Sequence, residues 1–136
     1  MNNKKLEKIL KRCIPDLEGS PGHWNFTLEG VRIICLTDEL HNRMRFIAPI
    51  EEVKNMKEDD LLKCLEANFH TALDIKYAIS DDVLWAAFLH PLKELTTFQV
   101  EDALQQIYAA VANYGGSYSS SNLYFPTQQD RKNRMN

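Results

Sequence analysis

At 136 residues, with 44% hydrophobic and 26% charged positions, the chain has the size and composition of a single soluble domain able to bury about two thirds of its unfolded surface. A formal net charge of −3 disfavours nonspecific nucleic-acid binding by the surface as a whole, because phosphate neutralisation needs a positive field. No apolar run approaches the ~18 residues of a membrane span, and Lys4, Lys5, Lys8, Lys11 and Arg12 break up the N-terminus, so no signal peptide or membrane role is expected and the chain reads as cytoplasmic.

Leu6, Ile9, Leu10 and Cys13 form one helical stripe over residues 3–13, with the basic residues on the remaining surface and Pro15 ending the helix. A short stripe of this kind fits a solvated face over a core better than a membrane-binding helix. The turn cluster Gly19-Ser20-Pro21-Gly22 precedes a half-buried strand in which Trp24, Phe26 and Leu28 alternate with His23, Asn25 and Thr27. Glu29-Gly30 turns the chain into a second strand, Val31 to Leu36, with Val31, Ile33 and Cys35 on one face and Arg32, Ile34 and Leu36 on the other. A third strand, Leu40 to Ala48, alternates Met44, Phe46 and Ala48 with Arg43, Arg45 and Ile47, and Pro49 is expected to close it. Three strands joined by short connections imply an antiparallel meander.

From Asn55 the period becomes helical. Leu61, Leu62, Leu65, Phe69, Ala72 and Leu73 form the expected buried stripe, Glu58, Asp59 and Asp60 occupy the first turn, and Asn55 with Glu58 has capping-box spacing. Ile75, Tyr77 and Ile79 then alternate with Asp74, Lys76 and Ala78, and Ser80-Asp81-Asp82 turns into a strand apolar on both faces. Val83, Trp85, Ala87 and Leu89 point to one side of it, and Leu84, Ala86 and Phe88 to the other. A small domain has one core, so the second face calls for a partner, often another copy of the chain. Trp85 and Phe88 lie on opposite faces, which leaves open which of them is core and which is interface. A last helix starts near Thr96 with Gln99 as box partner and a Leu95–Val100 staple, buries Val100, Ala103, Leu104, Ile107, Val111 and Tyr114, and stops at Gly115-Gly116. Leu123, Tyr124 and Phe125 offer a short anchor, so the domain is set at residues 1–126 and residues 127–136 are expected to be a mobile tail.

No chemistry announces itself. His23, His41, His70 and His90 are widely separated, and no CxxC or HxxxH pair occurs, so no metal site is expected. The glycines fit no phosphate loop, and Gly116-Ser117-Tyr118-Ser119 lacks the frame of a nucleophile elbow, so its serines read as loop solvation. Asp81 and Asp82 read as turn residues. The three cysteines, Cys13, Cys35 and Cys64, read as reduced core thiols. Arg43 and Arg45 make a basic stripe of the kind that binds RNA on a sheet, but Phe46 faces away from them, so nucleic-acid binding is disfavoured. No catalytic residue, cofactor site or metal site is therefore assigned.

The order helix, three-strand meander, helix, two-strand hairpin, helix is an α+β arrangement. With Leu61-Leu62-Lys63-Cys64-Leu65-Glu66-Ala67-Asn68, Tyr77-Ala78-Ile79, Val83-Leu84-Trp85-Ala86-Ala87-Phe88, the exit His90-Pro91-Leu92 and the helix Phe98 to Tyr114, it resembles the type III secretion chaperone-like (Tir chaperone-like) superfamily, which includes bacterial proteins of the YbjN type. The resemblance spans about residues 3–125. It implies a non-enzymatic cytoplasmic homodimer that holds a segment of a partner protein on apolar sheet and helix patches, or alternatively a regulatory adaptor of the same fold without a secretion role. On that basis Leu6, Ile9, Leu10, Ile34 and Ile47 are the expected partner groove, and Tyr77, Trp85 and Phe88 the expected dimer interface. The mild net charge and the lysine-rich first helix depart from the superfamily's strongly acidic character.

Overall fold

The computed structural model describes residues 1–121; the expected anchor at Leu123 to Phe125 and the expected tail lie outside them. Among the described residues, three α-helices and six β-strands occur, in the order α1 (Asn3–Cys13), β1 (Glu18–Ser20), β2 (His23–Leu28), β3 (Val31–Asp38), β4 (Arg43–Glu52), α2 (Glu58–His70), β5 (Lys76–Ser80), β6 (Val83–Pro91) and α3 (Thr97–Ala112). The strands form one antiparallel sheet in the order β1-β2-β3-β4-β6-β5. The hairpin thus joins the meander through its second strand, and β4 and β5 run parallel with β6 between them and α2 as the crossover.

The strand alternation read from the sequence assigns the faces. Trp24, Cys35, Phe46 and Phe88 lie directly across from one another on four successive strands, and all four are buried. The rings of Phe46 and Phe88 stack at 6.1 Å. On this side Leu6 and Leu10 of α1 and Val100, Leu104 and Ile107 of α3 complete a single core. The Trp24 indole donates to Glu7 Oε2 (2.9 Å), and this bond holds the Glu7 carboxyl below its ordinary value. The α3 cap forms as expected: the Thr96 N–H donates to Gln99 Oε1 and the Gln99 N–H to Thr96 Oγ1, with Leu95 and Val100 both buried.

Several expectations are corrected. The turn cluster holds a short strand, β1, because Gly19 (φ +108°) lies against the next strand so closely that a Cβ would sit 2.2 Å from the His23 carbonyl oxygen. Pro49 does not close β4: the ladder slips between Pro49 and Glu51, and this irregularity lets pairing with β6 continue to Glu52. Helix α2 is capped at Lys57 rather than Asn55, with the Asp60 carboxylate accepting from the Lys57 N–H, while Asn55 belongs to a preceding 3₁₀ turn. Cys13 is exposed, whereas burial pushes the Cys35 thiol well up and Cys64 to about 11.

The serine segment is more than solvated loop. Ser120 is buried; its hydroxyl donates to the Ala72 carbonyl, its N–H donates to the Thr71 carbonyl, and the Thr71 hydroxyl donates to the Tyr118 carbonyl. Buried Gln106 on α3 accepts from the Asp74 N–H and donates to the carboxylates of Asp74 (2.9 Å) and Asp102 (2.7 Å). These bonds fix the end of α2 and the chain after α3 to one another. On the side of β5 away from β6, the Asn68 carboxamide accepts from the Tyr77 N–H (2.8 Å) and donates to the Tyr77 carbonyl (3.0 Å).

Candidate functional site: an open sheet face and an exposed helix stripe

All the buried strand residues share the face on which the helices pack, and among the described residues no layer covers the opposite face of the sheet. Its central row is apolar: Ile34, Ile47 and Ala87 are cross-strand neighbours on β3, β4 and β6. Two residues along the strands on one side lie Pro49 and Trp85, directly paired; two residues the other way lie Leu36, Arg45 and Leu89. Ile34, Leu36, Ile47, Pro49, Trp85 and Ala87 are half-buried by one another and Leu89 is exposed. The Trp85 indole is fixed by donating to the Ser80 carbonyl (3.2 Å). A concavity of about 260 Å³ at the Trp85 end is lined by Ile34, Pro49 and Arg32 among others, and one of about 420 Å³ at the other end by Leu36, Leu89, Arg43 and Arg45.

A second apolar surface lies on α2. Leu62, Leu65 and Phe69 are 53%, 67% and 82% exposed, although their offsets of three and four place them on one stripe. The helix instead buries Cys64 and Ala67, the small residues of its other side, which allow close approach to β5. The periodicity identified the helix correctly and its buried side wrongly, since a repeat of 3.6 shows that a stripe exists but not what covers it.

The expected groove and interface are redistributed accordingly. Leu6, Ile9 and Leu10 belong to the domain's own core, because α1 turns these three residues of its stripe inward while Cys13 stays exposed, so they are unavailable to a partner. Ile34 and Ile47 are where the sequence reading placed them, on the uncovered face. Of the residues assigned to the dimer interface, Tyr77 and Phe88 are buried in the core, Tyr77 with its hydroxyl donating to the Ala110 carbonyl (2.7 Å), and Trp85 alone faces outward. The strand alternation already grouped Leu36 with Ile34 and Leu89 with Trp85; the β3–β4 pairing sets Leu36 beside Arg45, and the non-sequential pairing of β4 with β6, invisible in the sequence, brings Leu89 to its other side. Among the described residues, no group of three His, Cys, Asp or Glu side chains converges as a metal site would require, and no helix is long and apolar enough to cross a membrane.

No family model and no curated protein matches the sequence. Solved structures do match the architecture. The chaperone–effector complex of HopA1 with SchA contains a chain of TM-score 0.61 and 13% identity, with 80% of this chain and 88% of that one covered. The fold is that of the secretion chaperones. The ExsC–ExsE complex gives a TM-score of 0.63 at 14% identity over 82% of this chain and 92% of the other. The Yersinia pestis type III secretion chaperone SycH in complex with a fragment of YscM2 gives 0.62 at 13% identity over 82% and 98%.

Proposed function

We propose that this chain is a non-enzymatic protein-binding module that holds a segment of a partner protein on the open face of its sheet and pairs with a second copy of itself through α2. The observation that carries the reading is the uncovered apolar row Ile34–Ile47–Ala87 with Trp85 beside it. Monomeric soluble proteins seldom leave a contiguous apolar face uncovered without an interaction to fill it. The solved complexes of like fold, two of them of a chaperone with another protein, support the same use. Two distinct apolar surfaces allow two distinct roles. The offsets of Leu62, Leu65 and Phe69 suit side chains that interlock with those of a second α2 across a two-fold axis, and the broader sheet face then remains free for the partner segment. No residue is assigned to catalysis and no cofactor is required, since burial and release of apolar side chains involve no bond making.

Native mass spectrometry of the protein gently isolated from its own host tests this. Two copies plus one defined polypeptide, with the polypeptide lost on Ile47→Asp and the pairing lost on Leu65→Asp, is the expected result. A bare monomer, unchanged by either substitution, overturns it.

A further inference from the structure

The open face is not electrically neutral. At the Leu36–Leu89 end, Arg43 and Arg45 are exposed and project from the same side of β4 as Ile47. Arg43 donates to the Asn42 carbonyl (2.8 Å), and among the described residues neither arginine is in an ion pair; those pairs use Lys11, Arg12, His41, Lys54 and Lys63. The one carboxylate lining that concavity, Asp38, is held by the His41 N–H (3.0 Å) and ring Nδ1 (2.8 Å). The nearby Glu94 accepts from the Asn42 side chain (3.0 Å). A chain of net charge −3 therefore shows two exposed guanidinium groups beside an apolar row that the described residues leave open, Arg45 in no ion pair among those residues and Arg43 close enough to Glu94 to help the Asn42 bond hold that carboxyl below its ordinary value. Guanidinium groups placed like this suit a carboxylate, which they bind in a planar two-pronged geometry.

The register sets the spacing. From the Pro49–Trp85 pair to the Ile47–Ala87 pair is two residues, and from there to the Arg45–Leu89 pair is two more. At ~3.3 Å per residue these rows span ~13 Å, the distance between positions i and i+4 of an extended chain, whose alternate side chains all face one way.

Resting on the protein-binding reading above, we infer that the segment this face takes is an acidic–apolar stretch of extended polypeptide. It sets apolar side chains two residues apart over Trp85–Pro49 and over Ile34–Ile47–Ala87, and a carboxylate a further two residues on at Arg45 and Arg43. The arginines confer sign selectivity and the apolar rows confer affinity, so a segment with the same apolar pattern and a lysine at the carboxylate position is refused.

The test selects from a displayed library of random 12-residue peptides on the purified full chain and on the Arg43→Glu/Arg45→Glu double variant, both checked for folding by circular dichroism. The wild type is expected to enrich peptides with apolar residues two apart followed by Asp or Glu, and the double variant to enrich Lys or Arg there. A synthetic, fluorescein-labelled copy of the top wild-type peptide should bind the double variant at least tenfold more weakly by anisotropy, and replacing its acid by lysine should reverse that order. Enrichment of apolar peptides without charge bias, unaltered in the double variant, overturns the acidic partner while leaving the binding-module reading intact. If nothing is enriched on either protein, both readings fall. Arginine-dependent, salt-sensitive retention of a 12-nucleotide uridine oligomer, in place of any peptide, would assign the stripe to RNA and also overturn the inference.

Discussion

Replacing Leu65 by alanine separates the two ways an apolar side chain can contribute to this molecule. Leu65 is 67% exposed, so about one third of it is buried within its own domain. Full burial of a leucine is worth ~1.5–3 kcal/mol, which puts the intramolecular share at about 0.5–1 kcal/mol. Alanine's better helix propensity returns a few tenths of that (about 0.2 kcal/mol). The unfolding free energy of a dilute monomer should therefore fall by less than about 1 kcal/mol, against about 2–5 kcal/mol for Leu10→Ala, whose side chain is wholly buried. If two α2 helices cover one another's stripes, the remaining two thirds is buried on both copies, a loss of ~2–4 kcal/mol per dimer on substitution. At 1.4 kcal/mol per factor of ten, the dimer dissociation constant rises roughly 30- to 700-fold. Sedimentation velocity across a concentration series, paired with urea unfolding at the lowest concentration, measures both quantities. An unchanged association constant would refute the α2 interface. A drop of several kcal/mol in the dilute protein would refute the placement of Leu65 outside the core.

Three further outcomes follow from the geometry. Lowered folded-state carboxyl values for Glu7, Asp38 and Glu94 mean that their contribution to stability is complete above the ordinary carboxylate range and is lost as pH falls through the lowered values. The urea midpoint should thus decline below about pH 4.5, and Glu7→Gln should flatten its share of that decline; identical pH profiles for the two proteins would contradict the Glu7–Trp24 bond. A thiol reagent at pH 8 should modify Cys13 at once and Cys35 and Cys64 only after denaturant is added, whereas prompt reaction of all three would place the buried pair wrongly. Asn68→Ala removes two hydrogen bonds to the part-buried Tyr77 backbone and should lower the unfolding free energy by ~1–3 kcal/mol; a change within experimental error would mean that water substitutes freely there.

Alternation made the sheet legible. Trp24, Phe26, Ile33, Cys35, Met44, Phe46 and Ala48 are buried on the side their spacing assigned, because a period of two leaves no ambiguity once one face is apolar. The Thr96–Gln99 cap was readable for a similar reason: both halves of the motif are local. What distinguishes core from interface is not local. Leu10 and Leu65 carry the same side chain on equally good helical stripes, and only the docking of α1 on the sheet and of α2 by its small-residue side makes one wholly buried and the other exposed. The same holds for Phe88 and Trp85, whose roles depend on which face of β6 receives α3. The open face itself needed β6 beside β4, a pairing between strands separated by a helix and a further strand.

The Asn68 amide has a consequence for how this protein behaves among many copies of itself. A strand at the border of a sheet offers its outward N–H and C=O groups as a template for further strands, and a protein that displays apolar residues next to such a template invites runaway stacking. Here the planar carboxamide occupies the outward groups of Tyr77 much as the peptide unit of a seventh strand would, and it is tethered to a helix that cannot extend the ladder. Among the described residues no further strand pairs with β5, and at Tyr77 a side-chain mimic occupies the very contact that edge-to-edge stacking would need.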